Sequence, residues 1–217
     1  MTSISSHPGT PQAPSSTTTS TTTDPTAFQF PAIHSFPPFY TLQPNPTTRS
    51  SQLSSWSTLI QSYCQHTHLF ALTLADALST PLFTNARISR QLSLRDAKAI
   101  ITYMTTSEGG NRAEWISSSA SSKASKNGSG EDAGSGRCYI YWRRPEEWAS
   151  CLEEWVERTG QRGTVLTLYE LTESESTRRE AFWGMDGGLL NKSLAVCVKR
   201  GKAQVFGGEG SEGVKFF

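Results

Sequence analysis

The chain has 217 residues, 35% of them hydrophobic, and its 20 basic residues are nearly balanced by 19 acidic ones. This length and composition suffice for one or two modest cores, while the near-neutral charge excludes a molecule-wide field that would attract nucleic acid or anionic lipid. Contact with either is therefore expected to be local or to pass through a partner.

The N-terminal residues 1–27 are predicted to form a disordered tail. Of these 27 residues, 20 are Ser, Thr, Pro or Gly, and such a segment offers too little apolar surface to offset the entropy lost on ordering. They show neither a basic region nor an apolar region of the kind that a signal peptide has, so a secretory signal is not expected. The sequence also holds no apolar run of about 18 residues that would span a bilayer. The four cysteines are widely spaced and indicate no disulfide framework. A cytoplasmic protein is expected.

Residues 28–143 are predicted to form a first domain with the element order of a winged helix. It opens with an apolar segment, 28–46, whose prolines are expected to prevent helix formation. The patterns that follow are a helix from Thr47, a strand at Leu69–Leu74, a helix from Ser93 that ends at Gly109 and Gly110, and a hairpin of Glu114–Ile116 with Cys138–Trp142. The helix from Ser93 is predicted to bury one face that carries Leu94, Ala97, Ile101 and Met104. The Ser/Gly-rich stretch 117–136 is interpreted as a low-complexity insertion in the hairpin.

The same order of elements repeats in residues 144–217, the predicted second domain. Pro145 suits the first turn of a helix that carries Trp148, Leu152 and Trp155. The later patterns are a strand at Thr164–Tyr169, a helix at Met185–Val198 and a hairpin of Ala203–Phe206 with Val214–Phe217. The predicted fold class is α+β, with tandem winged-helix (helix-turn-helix variant) domains behind a disordered N-terminal tail.

Five blocks of sequence resemble a known family. They are Phe36–Asn45 (with Arg49, Gln52, Leu53 and Trp56 after it), Ser79–Asn85, Trp142–Trp148, Leu168–Thr172 and Gly213–Phe217. Their order and approximate spacing resemble those of the vacuolar protein-sorting-associated protein 25 family, subunits of the endosomal sorting complex ESCRT-II. The resemblance covers residues 28–217.

The resemblance implies a non-catalytic scaffold subunit that is present in two copies and forms the arms of a Y-shaped complex. It implies that an N-terminal proline-aromatic motif docks on the two other, core subunits, and that the second domain recruits an ESCRT-III subunit. The output would be sorting of ubiquitinated cargo into multivesicular bodies. The chain would then be recruited peripherally to endosomal membranes, with membrane contact only through the complex.

The docking role is carried onto Phe36, Pro37, Pro38, Phe39 and Tyr40. The two prolines are expected to pre-set an extended backbone, so that the aromatic rings enter a partner's apolar groove at little further entropic cost. Two alternatives stay open. The segment packs on its own first domain, or its PPFY pattern serves as a ligand for WW domains.

The chain departs from the family pattern in three places. The upstream motif at 30–34 is degenerate, so docking is not carried onto it. The polar tail and the 117–136 insertion lack obvious family counterparts. Gly187 and Gly188 weaken the start of the last helix, because each glycine costs about 1 kcal/mol relative to alanine.

Phe182, Trp183 and Met185 form an apolar cluster before the last helix and are candidates for contact with the ESCRT-III subunit. The alternative is a hydrophobic staple packed into the core. The staple is the favoured interpretation, and no individual contact with the subunit is assigned.

A winged-helix transcription or chromatin factor is the alternative from another functional class. Such a protein reads DNA with its third helix, which should be rich in basic and amide side chains. Between Ser93 and Ser107, only Arg95 and Lys98 oppose Asp96. Residues 48–145 carry eleven basic and six acidic residues, a net of +5, whereas residues 146–217 carry nine and twelve, a net of −3. Nucleic-acid binding is therefore not expected.

No cofactor, metal or active site is predicted. The GxGxxG pattern at 208–213 lies between two short strands rather than before a helix, so it is interpreted as a wing turn. Cys64, His66 and His68 lack a fourth ligand nearby in the sequence. No nucleophile, base and orienting acid can be assembled, so the chain is not expected to be an enzyme.

Overall fold

The computed structural model describes residues 27–116, 136–207 and 213–217. The predicted disordered tail, the 117–136 insertion and the wing turn therefore lie outside the described residues, apart from the residues at their edges. We refer to residues 28–143 as the first unit and to residues 144–217 as the second unit. The boundary between them stays a prediction.

The first unit has the predicted order of helix, strand, helix and hairpin, with two small additions. Its elements are α1 (Pro46–His66), β1 (Ala71–Thr73), α2 (Leu74–Ala77), β2 (Thr84–Asn85), β3 (Arg90–Gln91), α3 (Leu94–Thr105), β4 (Ala113–Trp115) and β5 (Arg137–Ile140). An antiparallel sheet has the order β1-β5-β4, and β2 pairs with β3 in a separate two-stranded ribbon. The sequence patterns predicted neither α2 nor the ribbon.

The second unit repeats this arrangement and confirms the tandem winged-helix fold. Its elements are α4 (Pro145–Thr159), β6 (Val165–Thr167), α5 (Leu168–Thr172), α6 (Gly187–Lys199), β7 (Ala203–Phe206) and β8 (Gly213–Phe216). The sheet is antiparallel in the order β6-β8-β7. Among the helices of the described residues, none is long and apolar enough to cross a bilayer.

Local side chains fix where the helices begin. At the start of α1, the Asn45 side chain accepts hydrogen bonds from the backbone N–H groups of Thr47 and Thr48, and Pro46 occupies the first turn. At the start of α3, Ser93 accepts from the N–H of Asp96. These caps satisfy donors that have no partner within the helix.

The buried face of α3 is centred on Ile100 and Ile101, which are both fully buried against α1. Ala97 and Met104 share this face, as the periodicity predicts. The prediction that Leu94 also lies on it is wrong, because Leu94 is 44% exposed. It is the first residue of α3, and helical side chains lean toward the N-terminus, where no earlier turn of this helix lies.

The proline-rich segment contains two 3₁₀ turns, at Ala32–Ser35 and Pro37–Tyr40. The expectation that this segment is extended at Pro37 and Pro38 is wrong. Proline fixes φ near −65°, which suits a 3₁₀ turn as well as an extended chain, and the first positions of a helical turn need no N–H donor.

Candidate functional site

The five residues predicted to dock, Phe36–Tyr40, divide into an exposed group and a buried group. Phe36 is 55% exposed, and Pro37 and Pro38 are exposed beside it. Phe39 and Tyr40 are only 2% and 3% exposed, because they belong to the chain's own core. Of the five predicted docking residues, three are therefore available to a partner in this structure.

Phe39 is held by two side chains of α1. Its ring stacks on that of Trp56, with centroids 4.2 Å apart and planes 7° from parallel. Its carbonyl oxygen accepts hydrogen bonds from Trp56 Nε1 at 3.0 Å and from Gln52 Nε2 at 2.9 Å. Gln52 Nε2 also donates to the Thr41 carbonyl oxygen. The Pro37–Tyr40 turn, which Phe36 precedes, is thus fixed to the first unit. For Phe39 and Tyr40, the structure agrees with the alternative that the segment packs on its own domain.

His34 fastens the start of the segment to the β2–β3 ribbon. It is 4% exposed, and its Nε2 lies 3.3 Å from the Leu82 carbonyl oxygen. Asn85 Nδ2 donates to the His34 carbonyl oxygen at 2.9 Å and lies 3.3 Å from His34 Nδ1. Phe30 stacks on the imidazole with centroids 4.1 Å apart. These partners suit a neutral ring that donates from Nε2 and accepts at Nδ1.

We expect the His34 site to make the protein less stable as the pH falls below about 6.5, the ordinary histidine pKa. Burial lowers the pKa of His34, so in this range the unfolded chain takes up a proton that the folded chain resists. Denaturant midpoints at pH 7.5 and 5.5 measure the effect. The decrease should be larger for the native chain than for His34→Gln, whose amide does not titrate. Equal decreases would contradict this assignment.

The second predicted cluster also divides. Phe182 and Met185 are 1% and 4% exposed, and Phe182 meets the Trp155 ring edge-on at 5.8 Å. Trp183 is 38% exposed. The staple interpretation therefore describes Phe182 and Met185, while Trp183 presents surface that a partner could contact.

An open cleft of 430 Å³ lies mainly on the second unit. Three of the residues that line it, at positions 180–182, directly precede Trp183 in the sequence. The buried rings of Trp155 and Phe182 line it, and Arg158 and Glu180 form an ion pair of 2.8 Å on it. Cys151 and Arg143 also contribute, with the guanidinium against the thiol. Its residues come from three separate stretches of chain, so no sequence spacing indicates it.

The two units meet through an aromatic contact at the start of α4. Trp148 is fully buried and packs edge-on against Trp142, with centroids 4.7 Å apart. Phe70, which precedes β1, lies 5.8 Å from Trp148 and 5.4 Å from Trp142. A helix of the second unit is in this way anchored in the first unit.

A polar contact joins the units at the start of α6. Asp186 caps this helix by accepting from the N–H of Gly188 at 2.9 Å. The same carboxylate accepts from Tyr139 Oη at 3.0 Å and pairs with Arg137 at 2.8 Å, both on β5. Burial and the hydrogen bond to Asp186 raise the pKa of Tyr139 to about 12. The tyrosine therefore stays a neutral donor at physiological pH.

Glu114 on β4 adds a second polar link to α6. Its carboxylate accepts from Tyr141 Oη at 2.6 Å and pairs with Lys192 of α6. Partial burial would raise the pKa of Glu114, but the hydrogen bonds from Lys192 and Tyr141 outweigh it and hold the pKa below its usual value. Burial and Glu114 together raise the pKa of Tyr141. The Glu114 carboxylate is therefore ionised at neutral pH and accepts hydrogen bonds from both partners.

Comparison with known proteins identifies the family. Residues 33–186 match the family described as ESCRT-II complex subunit. Vacuolar protein-sorting-associated protein 25 of Danio rerio is 37% identical over 191 residues, which cover 88% of this chain and 99% of the relative. The Homo sapiens protein of the same name is 36% identical over 191 residues, covering 88% and 98%. The chain belongs to the vacuolar protein-sorting-associated protein 25 family of ESCRT-II subunits.

Solved structures agree with this family assignment. A crystal structure of subunit VPS25 of the endosomal trafficking complex ESCRT-II superimposes with a TM-score of 0.70 at 29% identity, covering 86% of this chain and 98% of that one. A chain of the endosomal complex ESCRT-II (VPS22/VPS25/VPS36) gives a TM-score of 0.71 at 30% identity, with the same coverage. The family match begins at Ile33, so it includes the predicted docking residues Phe36–Tyr40, and it ends at Asp186, which joins α6 to β5.

In this VPS25-family chain, we expect Gly188→Ala to lower the free energy of unfolding by about 1–3 kcal/mol, the usual cost of overpacking. A Cβ at position 188 would overlap the Tyr139 hydroxyl. Urea denaturation measures the loss, and Tyr139→Phe in the same chain should restore part of it. Gly187→Ala is the matched control, since a Cβ there meets nothing within 4 Å. The control should gain up to about 1 kcal/mol from helix propensity. Equal effects at the two glycines would contradict a close contact at Tyr139.

Proposed function

We propose that the chain is a non-catalytic scaffold subunit of an ESCRT-II complex and docks on the core subunits through its N-terminal segment. A solved relative of the same family is part of a complex of VPS22, VPS25 and VPS36, and we infer that this chain joins the corresponding two core subunits, with two copies per complex. The observation that carries the proposal is Phe36, a ring 55% exposed at the entry of a turn that is otherwise fastened down.

Fixing the turn in advance favours binding. Ordering a flexible segment on association costs free energy, and a segment already held in place avoids most of that cost. Here the buried rings of Phe39 and Tyr40 anchor the turn in the core of the first unit. Its solvent-exposed surface consists of Phe36, Pro37 and Pro38. The five predicted residues would thus share one role, with two of them positioning the three that touch the partner.

The second unit would recruit an ESCRT-III subunit, and the complex would then support sorting of ubiquitinated cargo into multivesicular bodies. Trp183, together with the cleft lined by Trp155 and Phe182, is the surface we propose for this contact. An exposed aromatic ring and a cleft with charged edges are both typical of protein interfaces. The chain would act in the cytoplasm and reach endosomal membranes peripherally, through its complex.

Phe36→Ala tests the docking role. Size-exclusion chromatography with light scattering would compare the native chain and the variant, each mixed with the two core subunits. The native chain should co-elute in a complex that contains two copies, whereas Phe36→Ala should stay free while keeping its melting temperature, because the ring is mostly in solvent. Trp183→Ala is the matched control and should still co-elute. Normal assembly of Phe36→Ala would contradict the proposal.

A further inference from the structure

Four exposed cations lie close together in the sequence of the first unit, on the β2–β3 ribbon and the start of α3. They are Arg87, Arg90, Arg95 and Lys98, and we call them the basic surface. None of the four side chains forms an ion pair or hydrogen bond within the described residues, although seven ion pairs occur elsewhere in that part of the chain. Asp96 is the one acidic residue between positions 87 and 98.

The basic surface adjoins the docking segment. Strand β3, which contains Arg90, contacts the Pro37–Tyr40 turn. Asn85 pairs with Arg90 across the ribbon, and its side chain donates to the His34 carbonyl oxygen. The ribbon that carries Arg90 is therefore packed against the predicted docking segment.

Local stability does not account for these cations. Arg95 lies in the first turn of α3, at the positive end of the helix dipole, where a cation is unfavourable. Lys98 is three residues further along the same face, so the two like charges repel. Beside them, Leu94 is 44% exposed. Unpaired charges of one sign around an apolar side chain are typical of a surface that is completed by a partner of opposite charge.

We propose that the basic surface binds acidic side chains on the core subunit that receives Phe36. This inference rests on the proposed docking function and adds a charged rim to its apolar contact. A protein partner is favoured over nucleic acid because α3 carries no Asn or Gln, and the amide of Gln91 is already bonded to the Leu78 carbonyl oxygen. The exposed apolar side chain of Leu94, next to Arg95 in the sequence, also suits a protein interface.

The rim would act mainly during association. Complementary charges at the edge of an interface raise the association rate and orient the partners, and their effect weakens as salt screens them. Phe36 would then provide the contact that holds the complex together. The two parts of the surface can be separated experimentally, because only the rim depends on salt.

The test is the double variant Arg90→Glu/Lys98→Glu in the full chain, with Arg179→Glu/Lys199→Glu as a control that changes the net charge equally on the second unit. Surface plasmon resonance would measure binding to immobilised core subunits at several NaCl concentrations. At about 0.1 M salt the double variant should bind about tenfold more weakly, mainly through slower association. The difference should shrink at about 1 M salt, where the screening length is about 3 Å. The control should match the native chain.

Several outcomes would overturn the inference. If the double variant binds like the native chain while Phe36→Ala does not bind, docking stands but the charged rim does not. If the native chain itself does not bind the core subunits, both proposals fail. The same variants would be tested on duplex DNA and on phosphatidylserine vesicles. If charge reversal abolishes binding to either of these and spares the core subunits, the basic surface serves nucleic acid or lipid instead.

Discussion

Replacing Phe39 with alanine is expected to lower the free energy of unfolding by about 3–5 kcal/mol, the range measured for buried aromatic residues. The ring is 2% exposed and stacked on Trp56 at 4.2 Å. Its loss would leave a cavity against α1 and release the turn that Trp56 and Gln52 hold through the Phe39 carbonyl oxygen. Assembly with the core subunits should also weaken, because Phe36 would lose its support.

Equilibrium denaturation followed by circular dichroism measures this loss of stability. Phe36→Ala is the matched control, because it removes the same side chain three residues away, where it is 55% exposed. Its effect on stability should stay within about 0.5 kcal/mol. If the two variants lose equal stability, or if Phe39→Ala abolishes assembly while the chain stays fully stable, the division between support and contact is incorrect.

Trp148→Ala should have an effect of similar size, about 3–5 kcal/mol, and should disturb both units. Trp148 belongs to α4 of the second unit but packs against Phe70 and Trp142 of the first. Removing it would empty the centre of the contact between the units. Hydrogen exchange should therefore increase around β1 as well as around α4.

The control for this prediction is Trp148→Phe, which keeps an aromatic ring at the contact and should lose clearly less stability. Chemical denaturation gives the free energies, and hydrogen exchange followed by mass spectrometry gives the location of the change. Faster exchange confined to α4, with β1 unaffected, would show that Trp148 stabilises its own unit alone.

The sequence predicts most of the fold because local patterns determine most of it. Pro145 begins α4 as its position predicts, and the periodicity around Ile101 correctly predicts α3. The elements that were missed are short. Helices α2 and α5 have four and five residues, which is little more than one turn and too short to produce a periodic pattern. The predicted strand at 69–74 is likewise cut short, because Leu74 begins α2.

The candidate site is predictable only in part. Residue types indicate a candidate docking segment, but they do not separate the exposed Phe36 from the buried Phe39. That separation depends on Trp56 and Gln52, which lie 17 and 13 residues from the carbonyl group they hold. The contact between the units is still less local, since Tyr139 and Asp186 are 47 residues apart. No spacing rule links such pairs, because they meet only after both units have folded.

The shared carboxylate of Asp186 has a mechanical consequence. The carboxylate that caps α6 also binds Tyr139 and Arg137 of β5. If the second unit rotated away from β5, Asp186 would have to leave either these partners or the start of its own helix. Together with the Trp148 contact, this restricts rotation of one unit relative to the other, so the two units should move as one body. In the proposed complex, a partner bound at Trp183 would therefore keep a nearly fixed orientation relative to the docking residues of the first unit.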